Sequence, residues 1–585
     1  MNSSKLKIHL AQINTSIGDL EGNKQKILNE FAKAEAANCD LAVFCEMTLC
    51  GYPCEDLWQK KYFIAEIEQK IIEICEATKG AKCAVLIGAP TVSIAKNKKE
   101  IIHNSALLIE DGKVKEIINK KSLPNYGVFD EKRYFTADNF TSLFEFRGLI
   151  LTVLICEDFW EAKNLYLLQE QDLDLVVVVN ASPYSTKKLV QRLEIAQRFV
   201  KNLSKPLLYL NQVGAQDAAI FDGSSFVLND KGEVVLQMKE FAEDSAMIEI
   251  GKEGKVVPLT PTLSRKGRGS QSEFNSTTFP IVGGSQSEFG ITPSPLAGEG
   301  WGEGSKRNYQ ACILGLRDYI QKNNFQKVLL GMSGGIDSAL VAAIATDALG
   351  SENVSLCALP SRYNSEESML DATVCAKNLK INLEVISIEK PFEAMKSIVK
   401  IEGLAEENLQ SRIRGNILMA LSNQSGALLL STGNKSELAV GYATIYGDMC
   451  GAFNPIKDLY KTEVFELAKW RNQNIPEISV FKEKTIIPQN ILTKAPTAEL
   501  RPNQKDSDSL PEYDILDKIL FALIEEQKSI EEIIAAGFAA DLVKKVAKLL
   551  YRSEYKRQQA VIGPKISEMS FDKDRRYPIT NHFTK

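Results

Sequence analysis

Six consecutive residues offer phosphate chemistry: Ser333-Gly334-Gly335-Ile336-Asp337-Ser338, placed between the apolar run VLLGM and a helix-forming stretch. A strand that breaks into serine and paired glycines just before a helix gathers backbone N–H groups and two hydroxyls around one point, with the positive helix end behind them. The anion expected there is a nucleotide phosphate. A Walker-type loop would require GxxxxGK[ST], and here no lysine follows the glycines. Asp337 could hold a magnesium ion but would repel phosphates without one. The loop therefore reads as a cradle for the pyrophosphate half of ATP, released when a substrate oxygen is adenylylated. An ordinary Gly/Ser turn is the competing reading.

A second set of reactive groups lies at strand-like ends in the first half of the chain. Cys156 ends LTVLIC, Glu46 ends LAVFCE, and Lys120 precedes the turn-rich Leu123-Pro124-Asn125-Tyr126-Gly127. A cysteine nucleophile needs a base, and only three histidines exist: His9 in an apolar strand, His103 just before a strand, and His582 near the terminus. Glu46 could take the thiol proton instead, while Lys120 would stabilise the thiolate and the oxyanion of an attacked amide. That chemistry is amide hydrolysis through a thioester, with ammonia leaving. Each residue alone also fits a plainer role: a packed core cysteine, a strand-end acid, a solvated lysine.

A third site follows the apolar run ALLL, in Ser431-Thr432-Gly433-Asn434-Lys435-Ser436-Glu437. Glu437 begins a helix, so its carboxylate and that of Asp337 can meet over one magnesium ion, whose preferred ligands are hard oxygens. The alternative is an acid that merely favours a helix N-terminus.

The elements that must position these groups fall into two regions. Over about residues 1 to 258, strand-like runs alternate with helices from about Asn23 to Ala37, Tyr62 to Thr78 and up to Lys201, which argues for an α/β sandwich with mostly buried strands. Over about 306 to 585, a helix from Tyr309 to Lys322 precedes the phosphate loop, and VSLCALP, INLEVISI and ALLLSTGN supply further strands of an open parallel sheet. Between them, about 259 to 305, Gly, Ser, Pro and Thr dominate and the unit SQSEF occurs at Ser270 and Ser285, which reads as a flexible linker or tolerated insertion rather than a partner-binding tag.

The 585 residues exceed what one core usually supports, and 44% apolar residues supply material for two or three. A net charge of -5 spread over both signs shows no nucleic-acid-binding stripe. With no apolar run long enough to span a bilayer, and MNSSKLKIHLAQI leading straight into strand-like alternation, a cytoplasmic enzyme without membrane partners is expected. Eleven scattered cysteines without a CxxC pair make a disulfide framework or zinc site unexpected.

Five strings, CEM, GYP, KKSLPNYGVFDEKRYF, ICEDFW and NASPY, make the first region resemble the carbon-nitrogen hydrolase, or nitrilase, superfamily in the form used as the glutaminase part of glutamine-dependent NAD synthetases. The resemblance implies an αββα sandwich with Glu46 as general base, Lys120 as oxyanion-stabilising lysine and Cys156 as nucleophile. It makes Glu131 a supporting glutamate and brings Tyr126 and Ser182 to the glutamine. Lys121 is adjacent to Lys120, but the spacing to the following leucine favours Lys120. The second region resembles the N-type ATP pyrophosphatases, and specifically the synthetase domain of NAD synthetase. It does so through SGGIDS, LPSRYNSEESMLDA, ENLQSRIRGNILMALSN, STGNKSELAVGYATIYGDMCGAFNPIKDLYKTEVF, ILTKAPTAELRPNQKDSDSLPEYDILD, EYKRQQAVIGPKI and FDKDRRYPI.

This second resemblance implies a Rossmann-like domain in which Ser333, Gly334, Gly335, Ile336, Asp337, Ser338 and Thr432 bind ATP. Asp337 and Glu437 would hold Mg2+, while Arg412, Asn434, Asp448, Lys461, Lys494 and Lys565 would serve the nicotinate dinucleotide or its reacting phosphates. The implied reaction joins ATP, nicotinic acid adenine dinucleotide and glutamine: the acceptor carboxylate is adenylylated, ammonia from Cys156 chemistry displaces AMP, and NAD, pyrophosphate and glutamate leave. Ammonia protonated in bulk water loses its nucleophilicity, so a shielded passage is a further expectation, and the resemblance also implies a homo-oligomer. Rival readings are another ATP-pyrophosphatase amidotransferase, which should lack LPSRYNSEESMLDA and the APTAELRPNQKDSDSLPEYD block, and a silent nucleotide-binding scaffold, against which Glu46, Lys120, Cys156, Asp337 and Glu437 all speak.

Overall fold

The computed structural model describes residues 5–95, 98, 100–139, 143–260, 301–502, 504, 506–508 and 510–581. Two compact units result, the first from the described parts of Met1–Gln216 and Phe221–Ala297, the second from those of Asp217–Ile220 and Gly298–Lys585. His582 and most of the expected linker lie outside the described residues.

The first unit is built on two sheets. One has seven strands in the order Val256–Pro258, Asp244–Gly251, Lys5–Gln12, Leu41–Val43, Ala84–Ile94, Glu100–Glu110, Lys113–Asn119. The other has six, in the order Val234–Gln237, Phe226–Leu228, Leu207–Asn211, Leu175–Asn180, Leu149–Ile155, Leu143–Phe146. Period-2 alternation divides the side chains between two cores. Leu151, Val153 and Ile155 pack inward with Ile8, Val43, Leu86 and Val177, while Leu154 faces outward with Val178, Ile195 and Phe199. Helices Leu20–Ala36, Lys61–Ala77 and Lys188–Leu203 cover the outer faces, so the expected αββα sandwich holds.

Two local expectations change. The strand read through LAVFCE stops at Val43, and Glu46 stands beyond it in a turn where Met47 takes φ +50°. His103 lies inside strand Glu100–Glu110 rather than before it, bonded through Nε2 to Ser93 Oγ at 2.8 Å and through Nδ1 to the Thr136 carbonyl at 2.8 Å.

The second unit carries a four-stranded parallel sheet in the order Leu383–Val385, Val354–Ala358, Val328–Gly331, Leu428–Leu430. The chain moves outward on one side of Val328–Gly331 and returns on its other side. The crevice at that reversal, beyond the carboxyl ends of the two strands, is where ligands of such sheets bind. The expected Rossmann-like architecture is therefore present. The helix expected from Tyr309 begins at Trp301 and so takes in the last residues assigned to the linker. Glycine-rich sequence hid this start, since burial of Tyr309, Cys312 and Leu316 holds the helix rather than local propensity.

Candidate active sites

The first site is a buried ionic cluster. Lys120 Nζ donates to Glu46 Oε1 at 2.8 Å and to Glu131 Oε1 at 2.8 Å, and all three side chains are almost wholly enclosed. Asn104 Nδ2 donates to Glu46 Oε1 at 2.7 Å, the Ala181 N–H to Glu46 Oε2 at 2.8 Å, and the Tyr52 hydroxyl to Glu131 Oε1 at 2.9 Å. Burial works against the charge of Lys120, but Glu131 and Glu46 outweigh it and hold its pKa well above the usual lysine value. Burial pushes Glu131 up to about 7, against the pull of Lys120.

Cys156 sits against this cluster with φ +47°, at the sharp turn between strand Leu149–Ile155 and helix Glu157–Trp160. Non-glycine residues rarely take that conformation, and such strain persists where the surroundings enforce it. Burial, then the negative charge of Glu46, raises its thiol well above the ordinary value, with Lys120 acting in the opposite sense. The resting group is thus a neutral thiol that needs a base to become a nucleophile. Neither described histidine is bonded within this cluster: His9 Nε2 pairs with Glu30 Oε2 at 2.8 Å, and His103 is bound as described above.

Several residues that sequence reasoning did not pick hold this geometry. Asp158 Oδ1 accepts from the N–H groups of Lys121 at 2.9 Å and Ser122 at 2.7 Å, while its Oδ2 accepts from Ile155 at 3.2 Å, tying the lysine strand end to the cysteine turn. A Cβ on Gly88 would lie 2.2 Å from Met47 N, so only glycine lets Glu46 enter from its strand end. Tyr126, exposed, donates to both carboxylate oxygens of Glu157 at 2.9 and 3.0 Å, which places it beside the cysteine turn. Ser182 is buried, its N–H on Asn211 Oδ1 at 2.9 Å and its carbonyl accepting from Arg192 Nη2 at 2.8 Å. The ICEDFW and GYP strings contained Asp158 and Tyr52, but nothing in their spacing told supporting from reacting groups.

The second site begins at the phosphate loop. Gly334 has φ +81° and a Cβ there would meet the Ser368 carbonyl at 2.1 Å, so glycine is required on both counts. Ser333 Oγ and Ser338 Oγ lie 3.1 Å apart, the Gly335 N–H reaches Ser333 Oγ at 3.2 Å, and Ile336 opens the helix Ile336–Leu349. A cavity bounded by Ser333, Gly334, Gly335, Ser368, Lys494 and Glu499 opens over the loop. Lys494 Nζ donates to Ser368 Oγ at 2.6 Å there.

Beside the loop, Lys461 Nζ bridges Asp337 Oδ2 and Glu437 Oε1, the latter at 3.2 Å. Asn434 completes the arrangement: its Nδ2 donates to Asp337 Oδ1 at 2.9 Å and its Oδ1 accepts from the Glu437 N–H at 3.0 Å, capping helix Lys435–Val440. Burial, opposed by Lys461 and assisted by Asp337, pushes Glu437 up to about 7. Two hard-oxygen donors that converge on one ammonium are a suitable pair for a magnesium ion. No group of three or more metal-ligating side chains occurs among the described residues, so phosphate oxygens and water would complete its shell.

Other expected contacts fall elsewhere. Arg412 is exposed, with Nε on the Ile445 carbonyl at 3.3 Å. Arg414, two residues on and so on the opposite helix face, reaches cavity-lining Asn364 Oδ1 at 3.1 Å. Asp448 is exposed in the turn beside Arg412, its Oδ1 accepting from the Thr444 N–H at 2.6 Å. Thr432 is half-buried just past strand Leu428–Leu430. Lys565 is bonded locally, its three N–H donors going to the carbonyls of Ser567 at 2.8 Å and Glu568 at 2.9 Å and to Asp574 Oδ2 at 2.8 Å.

Amide cleavage by a buried thiol and activation of a carboxylate by ATP are the chemistries these two sites suit, which puts the chain in the class of ATP-dependent amidating ligases that carry their own amide hydrolase. Comparison with known proteins agrees: the carbon-nitrogen hydrolase family matches residues 7–253 and the NAD synthase family residues 308–560. The chain is 41% identical over 584 residues to the glutamine-dependent NAD(+) synthetase of Acinetobacter baylyi, covering 98% of each, and 40% identical to that of Thermotoga maritima, covering 99% of each. Among solved structures it is similar to the glutamine-dependent NAD+ synthetase of Acinetobacter baumannii in complex with ADP, at 37% identity and TM-score 0.72 over 99% of both chains. The chain belongs to the glutamine-dependent NAD(+) synthetase family.

Proposed function

We infer that this enzyme amidates nicotinic acid adenine dinucleotide to NAD, drawing nitrogen from glutamine and energy from the cleavage of ATP to AMP and pyrophosphate. The observation that carries the reading is the presence in one chain of two side-chain clusters suited to these steps: Glu46, Lys120 and Cys156, and the SGGIDS loop with its carboxylate pair.

In the first, glutamine places its amide carbon over Cys156 Sγ, with Glu157, Tyr126 and Ser182 within reach of its polar groups. Glu46 takes the thiol proton as the C–S bond forms and returns it to the departing ammonia. Lys120, kept cationic by Glu131, stands where the carbonyl oxygen gains charge. Water activated by Glu46 then cleaves the thioester to glutamate.

In the second, the N–H groups and hydroxyls of Ser333, Gly335 and Ser338 hold the pyrophosphate half of ATP, aided by the helix N-terminus, and Lys461 and Lys494 neutralise its charge. Asp337 and Glu437 would hold Mg2+, which supplies charge neutralisation of the leaving pyrophosphate when bound. The acceptor carboxylate attacks the α-phosphorus, and ammonia then displaces AMP from the acyl adenylate. Asn434 keeps both carboxylates oriented. Arg412 on helix Leu404–Ser425 and Asp448 on the turn beside it would meet the dinucleotide. No described helix is long and apolar enough to cross a membrane.

The test is to supply nicotinic acid adenine dinucleotide and Mg-ATP with either glutamine or ammonium and to quantify NAD and AMP by chromatography. Wild type should use both nitrogen sources, and Cys156→Ala only ammonium. Failure of both proteins with ammonium would remove the acceptor assignment.

A further inference from the structure

The Asp337–Glu437 pair already has an occupant. Lys461 Nζ bridges the two carboxylates, reaching Glu437 Oε1 at 3.2 Å, and only about 3% of the lysine side chain is exposed. Its placement is built in at both ends. The Lys461 N–H, first in helix Lys461–Gln473, donates to Ser436 Oγ at 2.9 Å, and the ammonium lies 5.4 Å from the centre of the Tyr513 ring. Tyr513 in turn donates to Asp506 Oδ2 at 3.1 Å. Asn434 bonds the other oxygen of each carboxylate, its Nδ2 donating to Asp337 Oδ1 at 2.9 Å and its N–H to Glu437 Oε2 at 3.5 Å, which leaves Asp337 Oδ2 and Glu437 Oε1 to the lysine.

We propose that Lys461 is a resident counter-cation that excludes a divalent metal from the Asp337–Glu437 pair until a triphosphate arrives and draws its ammonium away. This rests on the reading of that pair as metal ligands. A divalent cation entering alone would stand within a few ångströms of the ammonium it must displace, in a buried setting where like charges repel strongly. A triphosphate seated on the neighbouring SGGIDS loop removes that conflict, because its oxygens accept the ammonium as the metal takes the carboxylates. Metal therefore enters with the nucleotide rather than before it. In the free enzyme the lysine keeps the two carboxylates together.

Manganese titrations of the full-length protein, followed by electron paramagnetic resonance with and without α,β-methylene-ATP, test this without turnover. Nucleotide-free wild type and Lys461→Arg should take up no Mn2+ at this site. Lys461→Met should bind it more tightly than wild type by a factor of roughly ten or more, and gain thermal stability from it. Adding Asp337→Asn to Lys461→Met should abolish that uptake. With the analogue, wild type should gain one Mn2+ that Asp337→Asn weakens. If Lys461→Met does not fold, wild type still decides: Mn2+ bound without nucleotide and lost in Asp337→Asn overturns the proposal. A folded Lys461→Met that binds no more Mn2+ than wild type also overturns it. An analogue-dependent Mn2+ signal indifferent to Asp337→Asn would instead remove the metal-ligand reading itself.

Discussion

Cys156 is a neutral thiol at rest because burial and Glu46 both oppose its ionisation, so its reactivity depends on a base acting during attack. Glu46→Gln should reduce glutamine hydrolysis by roughly 10²- to 10⁴-fold, the usual worth of a positioned base, while ammonium-driven NAD formation continues. Separate assays of glutamate and NAD check this. Glu131 gives a pH signature. Its folded-state pKa of about 7 lies above the ordinary 4.5, so the folded protein holds a proton that the unfolded chain has released between those values. Its contribution favours folding below about pH 4.5 and is lost as pH rises through 7. Glu131→Gln should flatten that part of the melting-temperature profile, and an unchanged slope would assign the titration to another group. At this scale the sequence pointed to the candidate reacting groups, since scarce histidine and strand-end placement picked out Glu46, Lys120 and Cys156. It did not show that Asp158 and Asn104 hold them, because supporting hydrogen bonds across strands leave no spacing signal.

Elements decide whether those residues meet. Gly88 admits the chain at Glu46, and a Cβ there would overlap Met47 N at 2.2 Å. Gly88→Ala should cost on the order of 10²-fold in glutamine hydrolysis, as displacements near 1 Å do. Ammonium-driven synthesis is the internal control. Gly334→Ala should instead impair synthesis from both nitrogen sources and raise the KM for ATP, because it combines φ +81° with a 2.1 Å overlap on the Ser368 carbonyl. Asn434→Ala removes the helix cap and should lower stability by about 1 kcal/mol, measurable by denaturant unfolding. The strands and the phosphate loop were legible because alternation and a glycine-rich strand-to-helix junction are local patterns. The early start of helix Trp301–Lys322, the short strand Leu41–Val43 and the outward turn of Arg412 depend on tertiary packing, which overrides local propensity.

For the whole molecule, the significance of the fold lies in pairing an ammonia-releasing site with an ammonia-consuming one. Ammonia freed into water at neutral pH is mostly protonated and unreactive, so a chain bearing both sites gains only if nitrogen passes from one to the other before it equilibrates with solvent. Charge and composition gave no sign of a nucleic-acid-binding stripe, and neither bears on whether the two sites act together. The most direct measurement supplies amide-15N glutamine, Mg-ATP and nicotinic acid adenine dinucleotide in the presence of unlabelled ammonium at neutral pH, and reads NAD, AMP and glutamate by mass spectrometry. The account predicts NAD labelled in its carboxamide, formed one for one with AMP. Glutamate and AMP released without NAD, or NAD whose carboxamide nitrogen comes wholly from the unlabelled ammonium, would contradict it.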